Sequence, residues 1–322
     1  MSALLERIGV ELPVVQAGMG GGLSRQELAA AVSDAGGLRT IGILPPATLR
    51  CEIEAARERA PGKPIAVNLL LPFARRAHWE AAASADVVVT FWGRPRRRVD
   101  GVWIHQCGSV EEALAARAAG ADGVIAQGVE AGGHVRGSEP ALELLEATRR
   151  AVGPTFPVLV AGGIADRDDV AAAIKAGAAA AVLGTRFLMT DESRAHPAYK
   201  QRLMEARETV LTELFGAGWP SATQRVLWNE VAERWLKSDH RGPAPIRALH
   251  RALSPALARL PYGKQWSVSR LQRPDRPPFG PFAPTDDGPP NLLDAGALYA
   301  GESVARIHDV RPAAEVVRAV TP

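Results

Sequence analysis

Two cysteines, Cys51 and Cys107, are all that 322 residues contain. So few exclude a disulfide framework and fit a reducing compartment. Neither a CxxC nor an HExxH arrangement occurs, so the familiar sequence signatures of a metal site are absent and no metal is expected. No apolar run approaches the ~20 residues needed to cross a bilayer. The opening MSALLERIGVELP lacks a basic stretch, an apolar stretch and a cleavage site. An unprocessed cytoplasmic protein without a membrane partner is therefore expected. Lysine is scarce, at 63, 175, 200, 237 and 264 only, so the net charge of +3 is carried by arginine. The one dense basic run, Arg94–Arg98, has no aromatics interleaved as a stacking platform for nucleic acid needs, and reads as a solvated loop.

What is present is a repeat of one pattern. A short apolar run, a Gly- or Pro-bearing turn and an Ala-rich helical segment recur through the first two-thirds of the chain. Candidate strands are Val14–Gly18, Leu38–Ile43, Ile65–Leu71, Asp86–Trp92, Val102–Gln106, Gly123–Gln127, Pro157–Ala161 and Ala180–Gly184. They are rich in Val and Ile and apolar on both faces, as buried parallel strands are. Helix starts are marked by Ser24, by Ser109 with Glu112 three residues on, and by Asp166; Gly36, Gly120 and Gly177 mark exits. Eight strands alternating with helices predict a (β/α)8 barrel. Only about nine residues separate Trp92 from Val102, too few for a crossover helix, so a tight loop is expected there.

The barrel is expected over residues 1–190, and a cap over 191–294. In the cap Ala195–Leu236 reads as helical and amphipathic, and Arg241–Pro290 as an irregular covering segment. Residues 295–322 supply a last helix returning to the barrel.

The stretch the rest is organised around is Asp122–Gly137, DGVIAQGVEAGGHVRG. A buried strand ends at Gln127, and Gly128, Gly132, Gly133 and Gly137 follow, with Glu130 and His134 between them. In such barrels the C-terminal ends of strands carry the binding loops. His134 is the one acid–base candidate in such a setting, because a free imidazole titrates at ~6.5; His78, His105, His196, His240, His250 and His308 lack it. Glu130 could orient the loop by accepting backbone N–H bonds or could form a simple salt bridge.

Two further Gly-bearing turns, VAGGIAD (Ala161, Gly162, Gly163) and LGTRF (Gly184, Thr185), follow the seventh and eighth strands, where phosphate is commonly bound. One such pair is explained by turn chemistry alone; two at this spacing point to a phosphate-bearing cofactor. The first strand ends in QAGMGGG, and Asn68 closes the third with a carboxamide that needs a partner if buried. Asn68 and Gln127 suit the donor and acceptor edge of a flavin.

QAGMGGGLS, VNLLL, AQGVEAGGHVRG, VAGGIAD and LGTRF together resemble the nitronate monooxygenase family, formerly 2-nitropropane dioxygenases, from Val14 to about Met189; YAGESV near the end is also similar. The resemblance implies a barrel holding FMN without a covalent bond. Carried over by position, Ala17, Gly18, Met19, Asn68, Gln127 and Gly132 would hold the ring side, and Ala161, Gly162, Gly163, Gly184 and Thr185 the phosphate side. His134 would be the catalytic residue. The implied reaction is oxidation of an alkyl nitronate by O2 to a carbonyl compound and nitrite. Flavin-type enoyl-ACP reductases and NAD(P)H:quinone reductases share this barrel and a similar loop, so an NAD(P)H-dependent reductase is the alternative, and a non-catalytic flavin-binding protein a third. The short link after the fourth strand and the Arg- and Pro-rich cap depart from the family. Homo-oligomerisation is left open.

Overall fold

The computed structural model describes residues 2–237, 239–257, 259–260 and 262–322. Eight parallel strands form one sheet: β1 (Val14–Gln16), β2 (Arg39–Ile41), β3 (Ile65–Leu70), β4 (Val87–Phe91), β5 (Val102–Cys107), β6 (Gly123–Gln127), β8 (Val158–Ala161) and β9 (Ala181–Leu183); β7 (Gly133–His134) lies outside it. The order β1-β9-β8-β6-β5-β4-β3-β2 closes on itself, because Val15 of β1 bridges Leu38 beside β2. Every strand predicted for the barrel is present.

Alternation along the strands explains the closure. Val15, Ala66, Val87, Val89, Ile104, Ile125, Leu159 and Val182 cluster inside the barrel with Leu4 and Leu5 of the helix Ala3–Ile8, which plugs the N-terminal end. The intervening residues, such as Val124, Val158 and Val160, pack outward against the helical layer. Each fully buried aliphatic side chain contributes roughly 1.5–3 kcal/mol. No helix joins β4 to β5. Instead Arg97 donates to the carbonyl of Gly101 and pairs with Asp122, while the Arg98 guanidinium lies 5.6 Å from the Trp79 ring centroid. The basic run therefore tacks down the tight loop.

Beyond Met189 the chain crosses the C-terminal end of the barrel. Ala195–Leu236 is helical only at its ends, Pro197–Glu205 and Glu230–Trp235. Between them β10 (Val210–Thr212) and β11 (Gln224–Val226) pair antiparallel, and β11 also pairs with β7. Helical periodicity misled there because the strands are three residues long, too short to show alternation. The final helix, Ala313–Val320, packs Val316, Val317 and Val320 into the outer barrel core with Leu28 and Val32. Among the described residues no helix is long and apolar enough to cross a membrane.

Candidate active site

Ser24 marks a helix start in the sequence, yet the helix Gln26–Asp34 takes its cap elsewhere: the Gln26 N–H donates to the Glu52 carboxylate at 2.9 Å. Ser24 is fully buried, and its hydroxyl accepts from the N–H groups of Met19 (3.0 Å) and Gly42 (3.1 Å) and faces the Thr40 carbonyl at 3.1 Å. It staples the glycine loop after β1 to the loop after β2. Ser24→Ala leaves the Met19 N–H without a partner, while the Gly42 N–H keeps the Ser24 carbonyl at 3.3 Å, and is expected to cost about 1–3 kcal/mol. Urea unfolding would register this as a lower midpoint at unchanged slope; an unmoved midpoint would remove the staple's importance.

Above the barrel core a cavity of about 1060 Å³ opens at the C-terminal ends of the strands. All the predicted site residues line it: Ala17, Gly18 and Met19 after β1, Asn68 on β3, Gln127 on β6, Gly132 and His134 in the following loop, Ala161, Gly162 and Gly163 after β8, and Gly184 and Thr185 after β9. The glycines are dictated by close approach. A Cβ at Gly18 would stand 2.5 Å from Asn68 Cβ, and one at Gly132 would stand 2.5 Å from the Gly301 nitrogen. Gly162 and Gly163 have φ of 122° and 71°, a region where side chains are strained.

The phosphate-side turns differ from expectation in one respect. The helix Arg167–Lys175 is capped internally, since Asp166 accepts from the Asp169 N–H at 3.0 Å and Asp169 accepts from the Ala165 N–H at 2.7 Å. Its N-terminus is occupied. The short helix Thr185–Leu188 leaves its first-turn N–H groups without intrahelical acceptors. Thr185 Oγ1 accepts from the Gly301 N–H at 2.9 Å, which brings the YAGES segment into the site. Glu302 N–H donates to the Glu130 carbonyl at 3.0 Å, and the Glu130 carboxylate accepts from Ala141 N–H. Of the two roles open to Glu130, loop orientation is the one observed.

The two carboxamides are not equivalent. Asn68 is buried and its amide has no hydrogen-bond partner among the described residues. Gln127 donates to the His134 carbonyl at 2.9 Å and accepts from the Arg136 N–H at 3.4 Å. Gln127 thus anchors the histidine, with its second amide hydrogen and second carbonyl lone pair left for a ligand.

His134 is held by tertiary structure that its neighbours in sequence do not announce. It sits in β7, opposite Gln224 of β11, and its ring stacks on Trp219 at 4.0 Å with the planes 27° apart. Tyr299 lies 5.6 Å and Trp92 6.1 Å away, centroid to centroid. Nε2 is buried without a partner. Enclosure by apolar and aromatic groups, with no carboxylate to offset it, lowers the imidazole pKa to about 3. Burial therefore favours the neutral ring at physiological pH.

Trp92, Trp219 and Tyr299 escaped the sequence reading because they come from separate segments. Among the described residues Trp92 is one of two non-glycine residues with positive φ, 65°, and it meets Trp219 edge-on at 4.9 Å.

Three other histidines share the pKa direction of His134: burial lowers His105 and His250 to about 4 and holds His78 below its ordinary value. The unfolded chain takes up these protons at ~6.5, so between about 4 and 6.5 it binds more protons than the folded one. Stability then falls as pH drops through that window. Depressed carboxylates such as Asp122 and Asp309 act in the same direction but only at lower pH. A lower urea midpoint at pH 5 than at pH 7.5 is expected, and an equal or higher one would contradict the assignment.

The chain matches the nitronate monooxygenase family over residues 1–100 and 94–322. It is 31% identical to the (3aS,4S,5R,7aS)-5-hydroxy-7a-methyl-1-oxo-octahydro-1H-indene-4-carboxyl-CoA dehydrogenase of Mycobacterium tuberculosis, over 98% of this chain and 94% of that protein. It is 33% identical to a nitronate monooxygenase of Pseudomonas aeruginosa, over 64% of this chain and 74% of that one. FabK of Thermotoga maritima superposes with a TM-score of 0.77 at 30% identity, covering 99% of this chain and 94% of that one. Matched along its length by one family of oxidoreductases and folded as its solved relative is, the chain belongs to the nitronate monooxygenase family.

Proposed function

We propose that the chain is an FMN-dependent oxidoreductase of the nitronate monooxygenase type, oxidising alkyl nitronates with O2 to a carbonyl compound and nitrite. The observation that carries this is the buried, unpartnered Nε2 of a neutral His134 on the wall of a glycine-lined cavity. The family is generally flavin-dependent, and the site's donors fit such a group. Gly18 and Gly132 let the rim loops pack closely against Asn68 and Ala300–Gly301, and the Asn68 amide, which lines the cavity, lacks a protein partner. Ala17, Gly18, Met19, Asn68, Gln127 and Gly132 would hold the ring of FMN, and Ala161, Gly162, Gly163, Gly184 and Thr185 its phosphate. FMN bound there supplies the electron chemistry between substrate and O2.

The chain's own residues place the substrate and manage a proton. In one tautomer His134 Nε2 donates a hydrogen bond to a nitro oxygen; in the other it accepts the proton next to the nitro group of a neutral nitroalkane. Gln127 fixes its backbone, and Trp219 fixes its ring plane. Trp219 and Phe282 from the cap and Tyr299 from the returning C-terminal segment line the cavity and would exclude water.

A second reading is favoured by size. The cavity lies at the upper end of the ~300–1,000 Å³ usual for ligand sites, more than a small nitronate beside a ring requires. The Mycobacterium relative, a CoA-ester dehydrogenase by name, aligns over 98% of the chain, against 64% for the Pseudomonas enzyme. A flavin-dependent dehydrogenase or NAD(P)H-dependent reductase of a larger substrate is the alternative. Anaerobic mixing separates these readings. Bleaching of a yellow protein by propyl-2-nitronate supports the first, and bleaching by NADH or by an acyl thioester alone supports the second. No bleaching by any donor would leave a non-catalytic flavin protein.

A further inference from the structure

β4 ends at Phe91 and β5 begins at Val102, with no helix between them. The first residue of that short link, Trp92, has a φ of 65°, and Gly93 after it one of 137°. A bulky side chain at positive φ is a backbone outlier, and such outliers persist only where their surroundings fix them. Here the turn takes the chain off the barrel and leaves the indole against the loop that carries His134.

Trp92 is not among the residues that line the cavity, whereas Phe91 and Trp219 are. Its ring meets Trp219 edge-on at 4.9 Å and His134 at 6.1 Å, centroid to centroid, with the planes 70° and 83° apart. The Arg136 guanidinium lies 5.2 Å from the Trp92 centroid, within cation–π range. Arg136 is itself held by Glu112, in the first turn of the helix Val110–Ala118, and its N–H donates to Gln127. One indole thus braces the catalytic loop at Arg136 and the stacked Trp219 together. Trp219 follows Gly216 and Gly218, and two aromatic edges pin its ring: Trp92, and Phe73 at 5.0 Å.

We propose that Trp92 is a positioning residue of the site: it wedges Trp219 onto His134, and so sets the orientation of the imidazole and keeps it dry, without touching the substrate. The inference rests on the reading of His134 as the acid–base group of that site, and it gives the short link after β4 a role there. Among the described residues, the titratable side chains placed about this aromatic cluster are Tyr299, 5.6 Å from the His134 ring, and Arg136 with its partner Glu112. Burial is what lowers the imidazole pKa, so a wedge that excludes water also keeps the ring neutral.

The test follows His134 by NMR of isotope-labelled histidine in the purified full chain, its signal assigned by its loss in His134→Gln. In the parent this signal should not titrate between about pH 5 and 8. In Trp92→Leu, which removes the ring and keeps apolar bulk, it should titrate within that range, toward the ordinary ~6.5. Turnover of propyl-2-nitronate should then fall about ten- to a hundredfold in kcat, as for a misplaced catalytic group, with KM within about twofold of the parent's. Trp92→Gly accepts the positive φ and guards against misfolding of the leucine variant; the same two changes are expected in it. Trp92→Phe keeps an aromatic edge against Trp219 and should stay near the parent in both readouts. An imidazole that stays neutral in the leucine and glycine variants would overturn the inference. So would a KM that rises as much as kcat falls, which would put Trp92 in contact with the substrate. A His134 signal that shifts as expected in a protein that turns over no nitronate would overturn the functional reading alone. A nitronate-oxidising enzyme whose His134 stays neutral in every variant would overturn this inference alone.

Discussion

His134→Gln is expected to lower turnover by about 10²–10⁴-fold, the usual contribution of a positioned acid–base group, while the protein keeps its flavin. The imidazole touches no residue proposed to hold phosphate, and its backbone carbonyl still accepts from Gln127 in the variant. Flavin content, read from the visible spectrum, separates loss of chemistry from loss of cofactor. The pH profile carries further information. With the ring's pKa at about 3, its ionisation cannot produce an acid limb between pH 5 and 8. A wild-type profile that rises through ~6.5 and flattens in His134→Gln would show a normal imidazole pKa and sink the neutral-base assignment. Turnover close to the parent's in the variant would remove His134 from the chemistry altogether.

Gly132→Ala is expected to disturb the site strongly. The new Cβ would stand 2.5 Å from the Gly301 nitrogen and 2.6 Å from the Ala300 carbonyl carbon, both backbone atoms with no rotamer to give way. The segment must shift, and with it the Gly301 N–H bond to Thr185 and the Glu302 N–H bond to Glu130. Overpacking of this kind costs about 1–3 kcal/mol, and here the displaced backbone borders the cofactor site. Loss of bound flavin on purification, with a reduced melting temperature, is the expected result. Gly20→Ala is the control: its Cβ would meet nothing closer than 3.6 Å, at Ile43, and φ there is not positive. Full flavin in Gly132→Ala, or equal loss in both variants, would mean that the YAGES contact does not shape the site.

Both expectations depend on how the chain end returns. Three stretches far apart in sequence meet at Gly132: the loop after β6, the turn after β9 at Thr185, and Ala300–Gly301. Arg225 ties in a fourth, donating to the Val129 carbonyl at 2.8 Å while pairing with Glu302. The cap is thus stitched to the catalytic loop by main-chain bonds on either side of His134, which limits how far that loop can move without the cap.

Local rules were enough for much of this. Valine- and isoleucine-rich runs mark the eight strands because a buried parallel strand needs apolar side chains on both faces, and that requirement is written within five or six residues. Glycine turns mark the rim because close main-chain approach and positive φ are local demands. The twelve site positions, marked by those turns and by the family resemblance, all line one cavity. Partner choice was not local. Whether Ser24 caps its own helix or bridges two loops depends on where Gly42 lies. Gln127 anchors the histidine because Arg136 and His134 fold back over it. His134 loses its basicity because Trp219, 85 positions further along in the sequence, stacks on it. Hydrogen-bond partners and solvent exclusion are set by neighbours in space, and the energies that shift a proton or commit an amide exist only once those neighbours arrive.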